Sequence, residues 1–263
     1  MRVWRGLARG ACLASGLWWA GAAAAQAQAA AHCVGTVEAA RYTAPTDRYP
    51  HGVLGDDLEW AELQLDYRAT RACRSGGGTL RIRLPEDLVF EDVAPRLVDL
   101  DGQGHPEIVV VESHRSRGAR LAVWGIRSGE LRRVAATPFI GTRFRWLAPV
   151  GAADLDGDGA MELAYVDRPH LARTLRVWRF IAGQDVLEEV AALPGVTNHR
   201  IGEQDIAGGL RDCGTGPEMI VADASWQNVL AVRFDGGAFS QRVLGPHRGR
   251  SSFAEAMACR DLG

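Results

Sequence analysis

ADLDGDGAMEL, residues 153–163, places four carboxylates within nine positions: Asp154, Asp156, Asp158 and Glu162. Like charges at that density raise one another's pKa and repel. A hard cation that takes about six to eight oxygen ligands removes that cost. Gly157 and Gly159 break the run and mark a turn. The residues that follow, ELAYVD, read as a strand rather than a helix. An EF-hand counted from Asp154 would need its bidentate glutamate at position twelve, which is Tyr165. The stretch therefore predicts a cation loop followed by a strand.

The same pattern occurs upstream. VDLDGQGHPEIVVVES starts at Val98, and its Asp99 takes the place of Asp154. A third copy, GLRDCGTGPEMIVAD, starts at Gly209 and keeps Glu218 in the place of Glu162. Its first and fifth loop positions are Leu210 and Gly214, so only Asp212 and Glu218 remain as acids and no metal is expected there. Each copy is followed by related strand-like runs, ARLAVWGI, RTLRVWRF and NVLAVRF, and then by LRRVAATP, LEEVAALP and SQRVLGP. Four short strands per period of about 55 residues fit a propeller blade better than a βαβ unit.

The loops resemble the FG-GAP or VCBS repeat of integrin α-chain propellers and of many bacterial exported proteins. The chain as a whole is similar to an exported α-proteobacterial group of such proteins. That resemblance implies structural Ca²⁺, held by Asp154, Asp156, Asp158, Glu162 and the Ala160 carbonyl. In the first copy the matching set is Asp99, Asp101, Gln103, Glu107 and the His105 carbonyl. Gln103 replaces a carboxylate with a neutral amide, so this site should be the weaker.

The implied fold is all-β, a β-propeller of four blades. Five result if Pro45–Trp60 forms strands of its own. CVGTVEAARY, AELQLDYR and GTLRIRLP supply three strands near the N-terminus. SSFAEAMACR is expected to close the ring as a strand of that same blade, which would protect its edges.

Residues 1–29 read as a signal peptide: Arg2, Arg5 and Arg9 precede an apolar run and small-x-small cleavage sites. The propeller domain is then 30–263, in the periplasm or secreted, with no transmembrane segment after cleavage. Losing three arginines takes the net charge from −2 to −5, which argues against a nucleic-acid partner. Four cysteines remain, Cys33, Cys73, Cys213 and Cys259, enough for two disulfides in an oxidising compartment. Three pairings are possible; the strand scheme favours Cys33–Cys73 and Cys213–Cys259, the latter clasping the closing strand.

The loops opposite the acidic turns carry five of the seven histidines and many arginines, and the chain has no lysine. Arg48, His51, Arg143, Arg145, His199, Arg200, His247 and Arg248 are the candidate ligand-binding residues. Convergent arginines suit carboxylate, phosphate or sulfate groups, and the histidines are expected to add charge as pH falls. Asp47, Asp56, Asp57, Asp167 and Glu203 lie near enough in sequence to pair with some of these arginines. No nucleophile elbow, HExxH or P-loop occurs. The reading is a binding or scaffold module for a protein or an anionic glycan of the cell envelope. The competing reading is a polysaccharide lyase or hydrolase using the basic loops.

Overall fold

The computed structural model describes residues 35–69 and 76–263. The expected signal peptide, Cys33 and Cys73 lie outside these residues.

The chain opens with β1 (Thr36–Thr46), β2 (Glu59–Arg68) and β3 (Gly78–Arg83), an antiparallel sheet in sequence order. Residues 47–58 contain no strand, so they form no blade of their own. Three four-stranded units follow. The first has an inner edge in two pieces, β4 (Leu88–Phe90) and β5 (Arg96–Val98), then β6 (Glu107–His114), β7 (Gly118–Arg127) and β8 (Glu130–Ala136). The second is β9 (Leu147–Ala153), β10 (Glu162–Asp167), β11 (Thr174–Ile181) and β12 (Val186–Pro194). The third again has a split inner edge, β13 (Val196–Thr197) and β14 (Gly209–Asp212), before β15 (Pro217–Asp223), β16 (Asn228–Phe234) and β17 (Phe239–Pro246).

Alternation along each strand sends side chains to both faces of every unit, and both faces are covered. Ile108, Val110 and Trp124 pack on Leu63 and Leu65 of the N-terminal sheet. Val109, Val111 and Leu121 pack on Leu163, Tyr165 and Trp178 of the second unit. Val150, Val166 and Val177 pack on Met219, Val221 and Val232 of the third. This face-to-face stacking of radial sheets is propeller-like. Trp124 and Trp178 are core residues, 5% and 8% exposed.

The C-terminal segment departs from expectation. Arg250–Met257 is a helix, α1, and pairs with no strand. Phe253, Ala256 and the following Leu262 cover Ile220, Ala222, Val229 and Ala231, the outer face of the third unit. The local reason is visible in the residues. Ala254, Glu255, Ala256 and Met257 are strong helix formers, and buried Ser252, Phe253 and Ala256 share one helical face. The shared closing blade is therefore corrected: its three N-terminal strands are present, and a helix stands where its C-terminal strand was expected.

The N-terminal sheet joins the first unit through Trp60 of β2 and Phe90 of β4. Its outward face is a polar ladder, with Arg41 and Thr79 on Asp66 at 2.7 Å, Arg81 on Gln64 at 2.8 Å and Arg83 on Glu62 at 2.7 Å. No apolar face is offered there for a further blade. Instead the β1–β2 loop reaches the third unit: Gly202 N donates to Val53 O at 3.0 Å.

Candidate functional site

The first two acidic loops are built alike. Positive φ at Gly102, Gly104, Gly157 and Gly159 lets each loop fold back on its first aspartate. Gly104 N donates to Asp99 Oδ2 at 2.9 Å, and Gly159 N to Asp154 Oδ2 at 3.0 Å. Leu100 N and Leu155 N donate to the buried glutamates Glu107 and Glu162, at 3.1 and 2.9 Å. Asp99, Asp101 and Glu107 bring one oxygen each within 4.8 Å of one another, as do Asp154, Asp156 and Glu162. Burial pushes the pKa of both glutamates up, against the opposing pull of backbone donors and of an arginine. Asp99 Oδ1 is buried with no hydrogen-bond donor. An orphaned carboxylate oxygen in a cluster of three carboxylates fits a hard cation. Gln103 and Asp158 lie at the exposed rim of the loops, and the His105 ring turns away to Thr36 Oγ1 at 3.0 Å.

Each loop also meets an arginine from the third strand of its unit. Arg127 Nη2 lies 3.1 Å from Glu107 and 3.8 Å from Asp101. Arg179 lies 2.7 Å from both Glu162 and Asp156 and 2.9 Å from Asp158. Sequence reasoning passed over these arginines, although Arg179 and Arg233 recur at equivalent places in RTLRVWRF and NVLAVRF.

The third loop has a cation of its own. Arg211, in the place of Leu100 and Leu155, is buried and donates through Nε and Nη2 to Glu218 Oε2 at 2.9 and 2.7 Å. Arg233 and Arg242 reach Glu218 Oε1 at 3.2 and 3.1 Å. These guanidinium groups overcome the upward push of burial and hold the Glu218 pKa below the ordinary value. Asp212 Oδ1 is also occupied, accepting from the backbone N–H groups of Gly214, Thr215 and Gly216. Cys213 of this loop is bonded to Cys259, just beyond α1, with their Cα atoms 5.8 Å apart.

At the opposite end, the candidate ligand residues separate into groups. His51, Arg145 and His170 line one small pocket of about 20 Å³ with Phe144, Trp146 and Leu171. His51 bonds the buried Glu91 through Nδ1 and stacks on Phe144 at 4.9 Å. His199 lies beneath, fully buried against Trp146. Its Nε2 donates to Glu203 O at 2.9 Å, which leaves Nδ1 to accept from His170 Nε2 at 3.0 Å. Burial, then the neighbouring His199, lowers the His170 pKa to about 4, and burial lowers that of His199.

Arg200 and His247 belong to a second pocket with Trp226, Phe253 and Arg250. Arg200 lies 4.2 Å over the Trp226 ring, and Arg143 lies 4.5 Å over Phe144. Arg248 N donates to Ser252 Oγ at 2.9 Å, at the start of α1. Arg48 is turned away from either pocket, bonding the carbonyls of Pro85 and Leu88 and pairing with Glu86 at 3.3 Å. The arginines thus form two neighbouring sites rather than one convergent ring. Of the expected pairings, Asp167 meets Arg168 and Glu203 meets Arg250, whereas Asp47, Asp56 and Asp57 pair with no arginine among the described residues.

Among the described residues no helix is long and apolar enough to cross a membrane. No curated protein matches the chain. The sequence profile of the FG-GAP-like repeat matches residues 99–165, from the first aspartate of the first loop to the strand after the second. With two acidic loops of like build, a third in which Arg211 meets the glutamate, and propeller-like stacking of the sheets between them, the chain carries FG-GAP-like repeats over residues 99–165.

Proposed function

We propose that this protein is an exported, calcium-stabilised binding module whose ligand is an anionic partner, a protein surface or an acidic glycan of the cell envelope. The observation that supports this most is the pocket in which His51, Arg145 and His170 meet, beside Leu171, which is 62% exposed. Ile201, 71% exposed, adds a second apolar contact on the loop that carries Arg200. Arginine beside exposed aliphatic and aromatic groups suits carboxylates presented on a macromolecule. The Cys213–Cys259 bond accords with an oxidising compartment. Calcium at Asp99, Asp101, Gln103, Glu107 and the His105 carbonyl, and at Asp154, Asp156, Asp158, Glu162 and the Ala160 carbonyl, would fix the opposite end.

Binding of polygalacturonate and of an acidic protein panel, followed at low and high salt, tests the reading. Arg145→Ala combined with Arg200→Ala should weaken binding about tenfold or more while leaving the calcium-dependent melting shift intact. Salt-insensitive binding, or none to any anionic probe, would refute it.

A further inference from the structure

His51 and His170 come from distant parts of the chain, the β1–β2 loop and the β10–β11 turn, and line the same pocket. Each ring is held through one nitrogen. His51 Nδ1 donates to Glu91 Oε1, and the other oxygen of that buried carboxyl accepts from Ser113 Oγ. In the neutral ring the lone pair is then on Nε2. Phe144 stacks on the ring face and leaves the Nε2 edge open, with the side chain 15% exposed.

His170 is fixed by a relay. His199 Nε2 donates to Glu203 O at 2.9 Å, so its Nδ1 accepts from His170 Nε2 at 3.0 Å. The lone pair of the neutral His170 ring is therefore on Nδ1. Thr197 Oγ1 donates to Pro169 O at 2.8 Å and sets the turn that carries this ring. Among the described residues neither His51 Nε2 nor His170 Nδ1 has a hydrogen-bond partner, and neither atom is shut off from solvent. His114, near the corresponding place in the first blade, shows the contrast. Its Nε2 meets Asp87 Oδ2 at 3.1 Å and its Nδ1 accepts from Ser116 N at 3.1 Å, so both nitrogens are occupied.

We propose that His51 Nε2 and His170 Nδ1 hold a divalent transition metal of the zinc type, with water or an anion in its remaining positions. Imidazole nitrogen favours such metals over calcium and magnesium. Glu91 behind His51 and His199 behind His170 are the outer partners that orient a metal-binding imidazole and fix its tautomer. The pocket, about 20 Å³, has room for a single ion or water. Among the described residues no third histidine, cysteine or carboxylate groups with this pair within 4.8 Å, so coordination positions stay open. Of the two guanidinium groups at the pocket, Arg168 is paired with Asp167 at 2.7 and 2.9 Å. Arg145 donates to Phe144 O at 3.2 Å and keeps its charge, which limits the affinity for a bare dication and favours one that brings an anion. The metal site goes beyond the anion-binding reading and does not rest on it.

Calorimetric titration of the whole mature protein with zinc alone, with calcium in excess to occupy the acidic loops, tests this. One zinc ion per chain should bind, with micromolar affinity. His51→Gln and His170→Gln should each weaken it about tenfold or more, and Glu91→Gln about tenfold, the usual loss when an outer partner is removed. His114→Gln should leave it unchanged. Cobalt in place of zinc should give a visible absorption band that His51→Gln and His170→Gln abolish while their melting temperatures in calcium are kept. Arg145→Ala should strengthen zinc binding even as it weakens an anionic ligand, which separates this site from the anion-binding reading. No zinc binding, or equal binding in the wild type and in His51→Gln combined with His170→Gln, would overturn the proposal.

Discussion

Arg211 places two hydrogen bonds on Glu218, at 2.9 and 2.7 Å, from the position held by Leu100 and Leu155 in the two acidic loops. All three loops thus carry a strand arginine, Arg127, Arg179 or Arg233, and the third adds a buried one where its neighbours have leucine. The three glutamates respond accordingly: the pKa of Glu107 and Glu162 is raised by burial, while that of Glu218 is lowered by its arginines. Arg211→Leu should destabilise the protein by about 1.5–3 kcal/mol in urea unfolding, the usual worth of hydrogen bonds to a charged group. Calcium should not recover the loss, because Leu210 and Gly214 supply no carboxylate.

A second arginine gives the complementary result. Arg179 sits on Asp156, Asp158 and Glu162. Arg179→Gln should lower the melting temperature in chelator, and millimolar calcium should restore more of it than in the wild type. Equal calcium shifts in both proteins would show that Arg179 does not share these oxygens with the cation.

Glu59 predicts a pH dependence of stability. It is 3% exposed, and burial followed by the nearby Glu91, Asp56 and Asp92 pushes its pKa up to about 10. The folded state then keeps a proton that the unfolded chain releases near pH 4.5, so this group's stabilising contribution is full below pH 4.5 and is lost progressively as pH rises toward 10. Glu59→Gln should raise the melting temperature, and by more at pH 8 than at pH 5. An equal gain at both pH values would mean that Glu59 is ionised in the fold.

The Cys213–Cys259 bond closes a separation of 46 residues. Chain entropy sets its stabilisation at about 4 kcal/mol. Cys213→Ser with Cys259→Ser should expose α1 to limited proteolysis before any strand of the second blade is cut. Simultaneous cleavage everywhere would show that the helix is not an independent cover of the third blade.

The three repeats were legible because each carries the same hairpin chemistry at a regular interval, from Asp99 to Asp154 and from Glu162 to Glu218. The helix at Arg250–Met257 was misread because the segment follows SQRVLGP where the inner strand of a blade is due, and its burial against Ile220 and Ala231 is not visible in the sequence. The arginine at Arg211 was invisible for a different reason. Its role depends on burial and on meeting Glu218 across the β14–β15 pair, whereas the sequence displays only the loss of acids. The basic loops were legible as composition, but their division into two pockets rests on Phe144, Trp146 and Trp226, which carry no charge pattern.

Two histidines on that face, His170 and His199, have their pKa lowered by burial. The His170 pKa, lowered to about 4, means that this residue stays neutral from pH 7.5 to 6. Its contribution to stability is full above pH 6.5 and is lost as pH falls toward 4. Binding of an anionic ligand should therefore gain nothing from His170 between pH 7.5 and 6, and His170→Gln should leave the pH profile over that interval unchanged. A profile that rises below pH 7.5 in the wild type and flattens in His170→Gln would contradict this.

Calcium stoichiometry tests the central claim most directly. The protein should be stripped with chelator, dialysed to equilibrium against calcium in the millimolar range expected for extracellular modules, and its bound metal counted. The account predicts two calcium ions per chain, reduced to one in Asp156→Ala, with the remaining ion held more weakly in Gln103→Ala. Three ions would mean that Arg211 does not replace a metal, and none would mean that the acidic loops are not cation sites.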